Sequence, residues 1–539
     1  MNLTWEGLKD RKSWEEAGIA LPSRQPEKTA EEGRKNPKWV HFGIGNIFRI
    51  FIGSIAERLL EEGEMDGGII CAETFDMDVV DRIYRPFDNL VLAVTLHGDG
   101  RIVKKVLAPF AEAVKAQAAF PEDWERLKEV FRNPSLQMVS FTITEKGYAL
   151  HGADGEYLSY VRSDLEKGPA APSGAMGVVT SMLYERYRAG AYPLALVSMD
   201  NVSRNGLKLR SSVLETAEKW AGKGYVEPEF IEYVKDEGKL AFPWTMIDKI
   251  TPRPEPEIAD LLRRDGVEDM DPVITSKKTY IAPFANAEEI QYLVVEDSFP
   301  NGRPPLEKGG VYVTDRLTVN KSERMKVTVC LNPIHTALAP YGCVLGFTNF
   351  ADEMTDPELA ALARTVGLKE GMPVVQDPGI LSPEAFIQEC LTVRFPNRYL
   401  GDTPQRIAVD TSQMLAIRFG ETIKAYLEKD GTAGALTGIP LAIAGWLRYL
   451  LAVEDDGTPF ELSPDPMNGE LQEALAGVKI GGDCDVHGIL SPILSNRHIF
   501  GTDLYEAGLG EKIEAMFADE IRGPGAVRET LKKYLAQEI

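Results

Sequence analysis

The sequence predicts an α/β chain in two parts: a doubly wound parallel sheet, then a mainly α-helical region. Two observations carry this. WVHFGIG (39–45) is an apolar run closing on glycines, NIFRIFIGSIAERLLEEG (46–63) has helical periodicity, and GGIICAE (67–73) is a second apolar run. That order, strand, glycine turn, helix, strand, opens a βαβ unit. After about residue 318 strand signals become rare, and PELAALARTV, GETIKAYLEK, LTGIPLAIAGWLRYLLAV and AVRETLKKYLAQ all read as helices.

The elements follow in order. Residues 1–36 are polar and turn-rich, a lead-in to an α/β domain over 37–318 and a helical domain over 319–539. LVLAVTL (90–96) and RIVKKVL (101–107) read as a hairpin around HGDG (97–100), because Gly and Asp supply the turn geometry. LQMVSFTIT (136–144) and YPLALVSMDN (192–201) are further strands, separated by the helical patterns PEDWERLKEVF (121–131) and SMLYERYRAG (181–190). The alternation suggests one doubly wound sheet, with extra strands near YLVVED (292–297) and GVYVTD (310–315).

Composition narrows the function. The 539 residues are 44% hydrophobic and 26% charged, as in ordinary globular domains. No apolar run reaches the roughly 18 residues a membrane span needs, and the N-terminus MNLTWEGLKDRKSWEE has no hydrophobic signal core, so a cytoplasmic protein is expected. A net charge of −23 argues against nucleic acid and anionic membrane as partners. It leaves a small-molecule substrate, an anionic one included, for a monomer or small homo-oligomer. Five scattered cysteines without CxxC and six histidines without HExxH point away from disulfides and from a metal.

Gly43 and Gly45 stand between a strand and a helix, where backbone N–H groups and a helix N-terminus bind a pyrophosphate. The third glycine of the usual fingerprint is replaced by Phe48, and a purely structural turn is the alternative. Glu73, 28 residues after Gly45, ends the second strand, where a carboxylate accepts ribose hydroxyls and repels a 2′-phosphate. That combination favours NAD. Asp200, Asn201 and Asn205 cluster at another strand end, where a polar turn capping the next helix is the plainer reading. Asp248 and Lys249 read as an exposed ion pair, and Arg394 and Arg398 flank a Pro-Asn turn.

KVTVCLNPIHTALAP (326–340) is apolar apart from Lys326, Asn332 and His335. A lysine can act as general base, an asparagine amide can donate to an oxygen on which charge develops, and a neutral imidazole can fix a hydroxyl. These are the parts of a metal-free alcohol oxidation by hydride transfer. Glu323, three residues before Lys326, lies on the same helical face and could relay the proton. The plain alternative is an amphipathic helix with Asn332 as N-cap and Pro333 at its first position.

The stretches GIGNIFR, TITEKGY, SMDNVSRNG, MIDKITP, VEDSFPNGRPPLEKGGV, ERMKVTVCLNPIHTALA and VRFPN stand in this order between residue 41 and about residue 400. In this they resemble the polyol-specific long-chain dehydrogenases, which include mannitol 2-dehydrogenase, fructuronate reductase and tagaturonate reductase. The resemblance implies a Rossmann-type N-terminal domain, a helical substrate domain, NAD(H) and no metal. It implies Gly43, Gly45, Arg49 and Glu73 at the cofactor, Lys326 as catalytic base or acid, Asn332 and Asn201 at the oxyanion, and His335 as a positioning group. Asp248 and Arg394 would contact substrate, and Glu323 would gate the proton. The expected reaction interconverts a keto sugar acid and its secondary alcohol, as in fructuronate reductase. The other two activities, or a nucleotide-binding sensor without turnover, are the alternatives.

Two departures from the family set tests. The family's lysine precedes its asparagine by five residues, whereas here Lys326 precedes Asn332 by six. At about 100° per residue, a regular helix would turn Lys326 to the face opposite His335. A one-residue π-bulge or a break at Asn332-Pro333 is therefore expected. Met414 stands where the family commonly carries a substrate-contacting lysine. Lys249 or Arg394 would then have to meet any carboxylate.

Overall fold

The structure, a computed structural model, describes residues 1–538. The chain divides into two compact units, Met1–Asn320 and the residues from Lys321 onward. In the first unit a six-stranded parallel sheet is built from β1 (Trp39–Phe42), β2 (Ile69–Glu73), β3 (Phe110–Lys115), β4 (Met138–Phe141), β5 (Leu194–Ser198) and β6 (Leu240–Ala241). Their order is β3-β2-β1-β4-β5-β6, every neighbouring pair parallel. This is the strand order of a dinucleotide-binding sheet, whose order reverses beside β1.

β1, β2, β4 and β5 are buried at every position, as strands covered on both faces must be. Alternate side chains feed two cores. Trp39, Ile69, Cys71 and Val197 pack with Ile55 and Leu59 of α1 (Gly53–Glu61). Val40, Ile70, Val139 and Leu196 pack on the other face with α2 (Pro121–Arg132), α3 (Ala175–Arg188) and α4 (Asn205–Gly222).

The expected hairpin is present, with Val91–Leu96 antiparallel to Ile102–Leu107, but it does not extend the parallel sheet. It forms a separate sheet with Phe284–Ala287 on one side and Ile19–Ala20 on the other. Tyr292–Glu296 and Tyr312–Thr314 likewise leave the main sheet: Tyr292–Glu296 pairs antiparallel with Thr245–Asp248 and parallel with Tyr312–Thr314. Strand propensity is local, whereas the choice of pairing partner is made by segments up to about 200 residues away. Residues 1–36 are folded into this unit, with Trp14 buried and its indole N–H on the Gly7 carbonyl at 3.0 Å.

The second unit is helical. α5 (Arg316–Met325) runs into a π-helical turn, Lys326–Cys330, and α6 (Asn332–Val344) follows. α7 (Thr411–Arg418) and α8 (Gly438–Tyr449) lie further along, and α8 is buried throughout. The Tyr341 hydroxyl of α6 donates to the Leu441 carbonyl of α8 at 2.8 Å and is hydrogen-bonded to the Glu520 carboxyl at 2.5 Å, inside α9 (Gly510–Glu520). Among the described residues no helix is long and apolar enough to cross a membrane.

Candidate functional site

At the carboxyl end of β1 the two glycines have different reasons to be glycine. Gly43 has φ +87°, and a Cβ there would lie 2.1 Å from the Thr142 carbonyl oxygen. Only glycine fits that approach. A Cβ on Gly45 would meet no protein atom within 4 Å. The fold does not need that glycine, and the space in front of it is free for a ligand. The helix begins at the next residue, with Arg49 N–H on the Gly45 carbonyl at 3.1 Å. Such a turn presents free N–H groups to a phosphate.

Glu73 is buried at the end of β2, 7% exposed, and clamps the turn. One carboxylate oxygen accepts from Ile44 N–H at 3.3 Å, and the other from Phe75 and Asp76 N–H at 2.8 and 3.2 Å. Burial pushes its carboxyl above the usual range, opposed by the three amides. A carboxylate offers about four acceptor sites, so ribose hydroxyls can still donate to it. Arg49 is fully buried beneath the turn, its guanidinium on the Pro283 carbonyl at 2.7 Å and on Phe284 O and Asn46 Oδ1. These bonds brace the turn from below, while its Nε has no protein partner. Burial lowers its pKa to about 10.

Two further positions lie in this unit. The polar-turn reading holds for Asp200, which accepts from Tyr148 OH at 2.6 Å and from Ile143 and Thr144 N–H. It also holds for Asn205, whose side chain ties the Asp200 carbonyl to Thr245. Asn201, between them, is exposed. Asp248 is buried at the end of Thr245–Asp248, 7% exposed, where the sequence suggested an exposed position. Neighbouring Lys249 donates to the Glu288 carbonyl.

In the helical unit the spacing problem is solved by the backbone. Leu331 N–H bonds back five residues to the Lys326 carbonyl at 3.1 Å, the bond that defines a π turn. Leu331 then leaves helical geometry at φ −127°, ψ −67°, and α6 starts at Asn332 with Pro333 in its first turn. Both expected repairs are present. The π turn takes up the extra residue ahead of the new helix start at Asn332.

Lys326 is 2% exposed. Asn332 Oδ1 is buried and has no protein hydrogen-bond partner. His335 is wedged between Phe350 and Phe395, ring centroids 4.9 and 4.7 Å away. Its pKa is lowered to about 3, first by burial and then by the positive charges of Arg418, Arg394 and Arg406. The imidazole is therefore neutral at physiological pH and can act as a hydrogen-bond donor of fixed position. Arg394 is buried in the π-helical stretch Cys390–Arg394, and Glu323 is partly exposed on α5.

Comparison with known proteins completes the picture. The mannitol dehydrogenase Rossmann domain is matched over residues 37–308, and the mannitol dehydrogenase C-terminal domain over residues 318–518. The chain belongs to the mannitol dehydrogenase family. It is 51% identical to a D-mannonate oxidoreductase of Thermotoga maritima, covering 100% of each chain, and 29% identical to a mannitol 2-dehydrogenase of Aspergillus fumigatus, covering 96% of each. The crystal structure of a D-sorbitol dehydrogenase superposes with a TM-score of 0.78 at 26% identity, covering 95% of this chain and 97% of the other.

For this member of the mannitol dehydrogenase family, two site features were not legible in the motifs. Thr142 Oγ1 donates to the Gly43 carbonyl at 2.7 Å and bonds His41, holding the glycine turn against β4. Arg418 reaches Thr336 Oγ1 at 2.7 Å and so lies against α6 one residue past His335. Its position four residues after Met414 puts both on one face of α7. The sequence held that signal, but nothing in it linked α7 to α6.

Proposed function

We propose that this enzyme interconverts D-mannonate and D-fructuronate with NAD(H), as an NAD-dependent D-mannonate oxidoreductase. The observation that carries this is the 51% identity to a D-mannonate oxidoreductase across the full length of both chains. Gly43 and Gly45 would take the pyrophosphate and Glu73 the adenosine ribose, whose free hydroxyls distinguish NAD from its 2′-phosphate form. When bound, the dinucleotide supplies or accepts the hydride.

The chain's own residues handle the proton and the oxygen. In reduction Lys326 gives a proton to the carbonyl oxygen, and in oxidation it takes the hydroxyl proton back. The Asn332 side-chain N–H would donate to that oxygen and polarise it, while its buried Oδ1, which has no protein partner, is left to accept from a substrate hydroxyl. Neutral His335 donates to the same hydroxyl or its neighbour, and Glu323 passes the Lys326 proton toward solvent. For Asn201 as a second oxyanion donor, and for Asp248 and Arg394 as substrate contacts, the reading rests on the sequence motifs. Five free cysteines, four of them buried, suit a reducing, cytoplasmic setting.

The sensor alternative drew on a displaced lysine and on Met414, and the π turn at Lys326 speaks against the first of these. NADH oxidation measured side by side with D-fructuronate, D-tagaturonate and D-fructose tests the proposal. The highest kcat/KM is expected for D-fructuronate. A higher value for either of the others would replace the assignment.

A further inference from the structure

Three guanidiniums bear on His335, and they differ in how they are held. Arg406 is ion-paired with Asp402. Arg394 is buried within its π-helical stretch and follows on to Phe395, which packs on the imidazole. Arg418 has no carboxylate partner among the described residues; its one hydrogen bond goes to Thr336 Oγ1 at 2.7 Å. A guanidinium has five N–H donors in a rigid fork, so most of Arg418's capacity is unused. Because His335 is neutral, it does not supply positive charge here.

A partly buried, unpaired guanidinium is costly to maintain. An anion bound at Arg418 offsets that cost. A planar carboxylate matches the fork in two parallel hydrogen bonds, which a lysine ammonium cannot reproduce.

We propose that Arg418 binds the carboxylate of the sugar-acid substrate, supplying from one turn further along α7 the cation that Met414 does not. The assignment rests on the proposed reaction with D-fructuronate. It makes Arg418 a specificity residue: it selects the acid over the ketose that carries CH2OH at the same carbon, and leaves proton transfer to Lys326.

The test compares the full-length protein with its Arg418→Met and Arg418→Lys variants. Reduction of D-fructuronate and of D-fructose by NADH is followed, together with calorimetric binding of D-mannonate and of D-mannitol. The kcat/KM preference for D-fructuronate over D-fructose should fall about 10- to 100-fold in Arg418→Met, chiefly through KM, with Arg418→Lys in between. An unchanged preference, or an equal loss on both substrates, overturns the assignment. A wild-type protein inactive on D-fructuronate overturns the proposed reaction instead. Arg418 is then judged by binding, and it fails if D-mannonate is not preferred over D-mannitol or if that preference survives Arg418→Met.

Discussion

Gly43→Ala and Gly45→Ala should fail in opposite ways. At Gly43 an alanine pays about 1–2 kcal/mol for a left-handed backbone. Its methyl also falls 2.1 Å from the Thr142 carbonyl oxygen, and such overpacking costs about 1–3 kcal/mol more. The sum, about 2–5 kcal/mol, corresponds to a Tm about 3–8 °C lower for a unit of the size of Met1–Asn320. Gly45 has no positive φ and no atom near its would-be Cβ, so alanine there should fold normally and gain up to about 1 kcal/mol from the stiffer unfolded chain. Its methyl fills the space in front of the turn. Losing one or two N–H bonds to a charged phosphate should weaken NADH about 10- to 100-fold. Thermal unfolding and NADH fluorescence titration read the two effects separately. Wild-type NADH affinity in Gly45→Ala, or wild-type stability in Gly43→Ala, would refute this reading of the turn.

Lys326→Ala should lower turnover about 10²- to 10⁴-fold while leaving NADH affinity unchanged, and full activity would remove Lys326 as the proton carrier. Glu73→Ala should raise the ratio of NADPH to NADH use at least about tenfold, read by kcat/KM with each coenzyme. Glu520, buried with its carboxyl pushed up to about 8, carries a pH-dependent penalty. The folded state holds this proton longer than the unfolded one, so stability is lost as pH rises from about 4.5 to about 8. At 1.36 kcal/mol per unit this reaches about 3 kcal/mol at pH 7. Glu520→Gln, which keeps an acceptor for Tyr341, should therefore match the wild type near pH 4.5 and exceed it increasingly up to pH 8 in denaturant unfolding. A gap independent of pH would contradict the assignment.

Much of this site was written locally. The apolar runs of β1 and β2, the glycines between them and the acid closing β2 are short-range signals, because a strand buried on both faces has no choice but to be apolar. The count of six from Lys326 to Asn332 called for a π turn or a break, and the backbone contains both. The phase of a helix is set by residue number alone, so this too needed no partner.

What depended on distant chain was not legible there. Hairpin 91–107 has the strand signals of the main sheet, yet it is captured by Ile19–Ala20 and Phe284–Ala287. Arg49 sits in a phosphate-binding motif but is drawn beneath it by carbonyls more than 230 residues away. Arg418 gained its meaning only from Thr336, 82 residues earlier. Sequence determined the elements and the chemistry each one carries, since propensity and periodicity act over a few residues. Tertiary structure decided which charges are paired and which are left for a ligand, because that depends on what the fold brings within about 4 Å.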